Sequence, residues 1–90
     1  MELKDTYELM TSPDFKERFK AEVYQLENRI NGLTRMLIKY KNGTLEFTPK
    51  CSYELLDEQR VAMINYLEIL EKRAEIEGID IHPSIIYIEE

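Results

Sequence analysis

The chain has 90 residues, 43% of them hydrophobic and 33% charged, with a formal net charge of −6. That length allows one domain whose single core is close to the minimum, and the composition excludes a disordered chain. The net charge excludes sequence-independent binding to a long phosphate backbone, and apolar runs of only a few residues exclude a membrane span.

The start, Met1-Glu2-Leu3-Lys4-Asp5, lacks the basic-then-apolar layout of a secretion signal. Asp5 to Met10 is expected to form a short N-terminal helix contributing Tyr7, Leu9 and Met10 as its apolar residues. Thr11-Ser12-Pro13-Asp14 then reads as a helix start: Ser12 as the cap, Pro13 in the first turn where its missing N–H is not needed, Asp14 facing the positive end of the dipole. From there the apolar positions are Phe15, Phe19, Val23, Leu26, Ile30, Leu33 and Leu37. Their steps of four and three confine them to about 80° of a wheel with 3.6 residues per turn. A long helix over about 13–41 follows, ended by Asn42-Gly43, a pair suited to a left-handed cap.

Residues 42–52 read as a connection in which Leu45 and Phe47 alternate with polar neighbours, extended, with Phe47 tucked under the two helices. Ser52 caps a second helix over about 53–77, which Gly78 ends. Here Leu55, Leu56, Ala62, Met63, Tyr66, Leu67, Ile69, Leu70, Ala74 and Ile76 cover roughly 180° of the wheel. One partner helix with an 80° stripe cannot cover that surface, and an uncovered patch of this kind marks an interface. The tail, 79–90, is rich in β-branched residues and reads as an extended segment packing on a neighbour. The expected architecture is all-α: one domain, 1–90, an antiparallel helical hairpin with a short N-terminal helix and an extended C-terminal tail, assembling as a homo-oligomer.

Charge is unevenly spread. Residues 13–50 hold eight Lys/Arg against five Asp/Glu, and residues 51–90 hold three against ten. Two oppositely charged helices side by side account for this, and so does a basic surface for a small anion. Catalytic constellations are missing: no Cys-x-x-Cys, His-Glu-x-x-His, P-loop or Gly-rich dinucleotide fingerprint is present. The lone histidine, His82, reads as an exposed turn residue, and the lone cysteine, Cys51, as a half-buried structural thiol suited to a reducing cytosol. The chain is therefore read as a non-enzyme needing neither cofactor nor metal.

Two polar residues, Gln59 and Arg73, fall inside the apolar arc of the second helix, with Gln59, Tyr66 and Arg73 heptad-spaced. Glu22 lies at the edge of the first helix's stripe and, in an antiparallel hairpin, opposite Arg73. A half-buried Glu22–Arg73 pair fixing register is expected, with Arg73 as an anion contact the functional alternative. Lys16, Arg18 and Lys20 gather near the start of the first helix, Lys16 and Lys20 on one flank of the stripe and Arg18 on the other. With Tyr7 they form a candidate site for a phosphate whose base stacks on the ring; a solvated helix face is the plainer reading.

The blocks Asp14-Phe15-Lys16-Glu17-Arg18-Phe19, Leu45-Glu46-Phe47-Thr48-Pro49, Leu55-Leu56-Asp57-Glu58-Gln59-Arg60-Val61-Ala62-Met63 and Tyr66-Leu67-Glu68-Ile69-Leu70-Glu71-Lys72-Arg73 resemble a family of small phage proteins. Over about residues 14–78 its layout is similar to the helical-hairpin anti-CBASS and anti-Thoeris sponges. The resemblance implies a compact oligomer, often a hexamer, working in the host cell cytoplasm. It implies binding of cyclic oligonucleotide or cyclic ADP-ribose signals between protomers, which starves immune effectors of the signal without cleaving it. It also implies a base-stacking tyrosine in the N-terminal helix, matched by Tyr7, and an early basic residue on phosphate, for which Lys16, Arg18 and Lys20 all qualify. A protein-binding hairpin that inhibits or adapts a host protein is the alternative.

Overall fold

A computed structural model describes residues 3–81. A 3₁₀ turn, Leu3–Thr6, runs into α1, Tyr7–Met10; α2 spans Phe15–Asn42 and α3 spans Tyr53–Glu77. All regular structure among the described residues is helical. The long axis measures 43 Å, close to the length of a 28-residue helix at about 1.5 Å per residue, so α2 sets the shape.

Local signals place the ends of both long helices. Asp14, with an extended backbone, caps α2 by accepting a hydrogen bond from the Lys16 amide at 2.9 Å. This corrects the expected cap: the Ser12 hydroxyl accepts from the Asp14 amide instead, and the helix begins at Phe15, not at residue 13. The shift follows from the carboxylate being the stronger acceptor at the positive end of the helix. Ser52 caps α3 as expected, accepting from the Leu55 amide at 3.1 Å. Gly43 and Gly78 end the two helices at φ 73° and 69°, a left-handed conformation that glycine adopts without a Cβ penalty.

α3 packs along α2. The rings of Tyr40 and Tyr53 meet edge to face at 5.7 Å beside the connection. At the far end the Arg73 guanidinium lies 5.1 Å over the Phe19 ring, so α3 runs back along α2. Between these ends Phe19, Val23, Leu26 and Ile30 of α2 meet Leu67, Leu70 and Ala74 of α3, all buried. The core is closed at one end by the chain beyond Gly78: Ile79 is buried and Ile81 packs beside it. The rest of the expected tail, 82–90 with His82, lies outside the described residues.

Several residues sit differently from expectation. Phe15 and Phe47 are exposed; Phe47 is not tucked under the helices but lines an open hollow with Tyr40. Cys51 is exposed rather than half-buried. The larger difference is that α2 is covered on two sides. Ala21 and Tyr24 are buried although they lie about 120–180° from Phe15 on the wheel. The N-terminal segment lies along α2, with Thr6 wholly buried and Leu9 against the core.

Candidate functional site

The N-terminal segment is fixed to α2 by polar contacts that its short helix would not make alone. The Gln25 amide Nε2 donates to Thr6 Oγ1 at 3.0 Å, and Thr6 Oγ1 donates to the Leu3 carbonyl at 2.6 Å. Gln25 Nε2 also approaches Met10 Sδ at 3.4 Å. A four-residue helix has no independent stability, so this docking holds Tyr7 in place. Tyr7 follows the anchored Thr6 directly and is 64% exposed, leaving its ring face open for stacking.

The three basic residues divide. Arg18 Nη1 donates to the Ser12 carbonyl at 2.9 Å, clamping the turn between α1 and α2. Lys16 is exposed and Lys20 half-buried; four residues apart, they stand one above the other on a different flank of α2. Arg18 therefore has a hydrogen-bond partner within the chain, and the two lysines form a separate cationic pair on the other flank. Thr6 and Gln25, which hold the segment, escaped the sequence reading. Little in the sequence marks them, since Ala21, Tyr24, Gln25 and Asn28 all lie off the apolar stripe of α2.

The expected Glu22–Arg73 pair is not formed. Arg73 instead lies over Phe19 and reaches Glu77 Oε2 at 3.6 Å on its own helix. An aromatic face one turn before Glu22 and a carboxylate four residues on supply the guanidinium with partners that need no burial of charge. Accordingly, Glu22→Gln should change stability by no more than about 0.5 kcal/mol in a urea titration. A loss of 3 kcal/mol, the scale of a broken buried pair, would show that Glu22 is paired after all.

On α3 the residues facing away from α2 include Leu55, Tyr66, Ile69 and Ile76, the last 85% exposed. Two hollows border the connection and this face. One is lined by Tyr40, Gly43, Leu45, Phe47, Thr48 and Pro49, the other by Cys51, Leu55, Leu56, Glu58, Gln59 and Ala62. No helix among the described residues is long and apolar enough to cross a membrane.

Comparison with protein families gives a match to the model described as Sequestin over residues 13–76, most of the chain. No curated protein and no solved structure matches.

Proposed function

The chain belongs to the Sequestin family, and from that premise we propose that it binds a cyclic nucleotide signal and sequesters it without cleaving it. The ligand class is a cyclic oligonucleotide or cyclic ADP-ribose. The setting is the cytoplasm of a host cell under phage attack, and the effect is to withhold the signal from immune effectors. The family match carries the reading: sequestration needs affinity and stoichiometry, and no catalytic group.

The N-terminal segment supports it with a chemistry suited to the ligand. The open ring of Tyr7 offers a stacking surface, worth roughly 1–3 kcal/mol per base. Lys16 and Lys20 offer charge-assisted contacts to phosphate, with Arg18 holding the turn between them and Tyr7. Assembly of several copies, up to the hexamer that the sponge resemblance implies, would close such half-sites into pockets between protomers. The exposed stripe on α3 favours a second reading, a hairpin that docks on a host protein.

Thermal melts against a panel of cyclic dinucleotides, cyclic trinucleotides and cyclic ADP-ribose isomers test the proposal. At least one should raise the melting temperature by several degrees, and mass spectrometry should recover it unchanged after heating. A panel without any shift would sink the sponge reading, and recovery of a cleaved product would replace it with catalysis.

A further inference from the structure

The outward face of α3 has a pattern that its packing on α2 leaves almost unused, Arg73 alone reaching across to the Phe19 ring. Positions 55, 59, 62, 66, 69, 73 and 76 alternate in steps of four and three, the spacing of a coiled-coil seam. Leu55, Ala62, Ile69 and Ile76 form one line of that seam, and Gln59, Tyr66 and Arg73 the other. All seven are exposed. The residues turned to α2, Leu67, Leu70 and Ala74, are buried and lie about 90° round the helix from the seam. One helix therefore carries two apolar faces, and the described residues cover only one.

The two halves of the seam differ in the size of their apolar side chains. The first half is an open hollow bordered by Leu55, Gln59 and Ala62. The second half presents the larger side chains of Tyr66 and Ile69, 43% and 56% exposed. A seam with a hollow in one half and larger side chains in the other fits an inverted copy of itself. We infer that α3 pairs antiparallel with α3 of a second copy about a two-fold axis near residue 64. Tyr66 then lies opposite Ala62 of the second copy, Ile69 opposite its Gln59, and Arg73 opposite its Leu55.

Charge selects the same register. Glu58, Asn65 and Lys72, all exposed, precede the seam residues 59, 66 and 73 and line the flank away from α2. With the axis near residue 64, Glu58 faces Lys72 of the second copy, Lys72 faces its Glu58, and Asn65 meets its own counterpart. A parallel pair would set Arg73 against Arg73 and hollow against hollow. The overlap, residues 55–73, is about 28 Å of helix. This inference deepens the assembly part of the proposed function and is independent of which ligand is bound.

Single cysteines test it, because Cys51 is exposed and is first replaced by Cys51→Ser. In that background Gln59→Cys and Ile69→Cys should form a disulfide dimer when mixed, at least tenfold more than either alone, since the geometry needed for bridging is strict. Asn65→Cys should cross-link by itself, and circular dichroism should show unchanged helicity in all three. Dimers of Gln59→Cys or Ile69→Cys alone would indicate a parallel pair and overturn the inference. So would the absence of cross-links in every sample, or a monomeric mass of the wild-type protein in native mass spectrometry. Cross-linking without any nucleotide shift would reject the ligand and keep the seam; a shift without cross-linking would do the reverse.

Discussion

Ile30→Ala is expected to lower the stability of the fold by about 2–5 kcal/mol, the cost of removing a buried branched side chain and leaving a cavity. Ile30 is fully buried midway along α2, in the cluster that also takes in Leu67 and Leu70 of α3. A domain of this length has roughly 5–13 kcal/mol in total, so the loss is a large fraction of what holds it together. In urea the midpoint should fall with little change in slope, and the melting temperature should drop by about 8 °C or more at roughly 4–8 °C per kcal/mol. A change below 1 kcal/mol would mean that the two long helices do not share this core in solution.

Replacing Tyr7, Lys16 and Lys20 together by alanine should remove nucleotide binding while the fold and the oligomer mass stay unchanged. Loss of one stacked base, about 1–3 kcal/mol, with two charge-assisted hydrogen bonds at about 1.5–3 kcal/mol each, amounts to a thousandfold or more in affinity. All three side chains are outside the core, so the effect should be confined to binding, as read by calorimetry and thermal shift. Arg18 is left in place because its bond to the Ser12 carbonyl ties the site to the scaffold. Retained binding in the triple variant would move the ligand site elsewhere on the molecule.

The candidate site was legible as residue types and less so as geometry. Tyr7 and the cluster Lys16, Arg18 and Lys20 stand out in the sequence, yet the division of labour between Arg18 and the two lysines depends on where the turn at Ser12 falls. That turn is held by Asp14 capping α2, where the sequence pointed to Ser12 as the cap. The expected Glu22–Arg73 pair failed for a similar reason. Helical spacing put both residues near the interface, but the guanidinium also had Phe19 and Glu77 within reach, and contact with either costs less desolvation than a buried ion pair.

By itself the sequence determined two long helices, the start of α3, the glycine ends of both and the apolar stripe of α2. These follow from interactions within a few residues: capping side chains, positive-φ glycines and the 3.6-residue repeat. Only the tertiary structure decided which part of the broad apolar arc on α3 faces α2, and that an N-terminal segment covers a second side of α2 through Thr6 and Gln25. Such choices rest on contacts between residues distant in the chain, where the packing of one surface decides what is left for the next. What α2 leaves uncovered on α3 is a heptad seam, whose inferred occupant is a second copy of the chain.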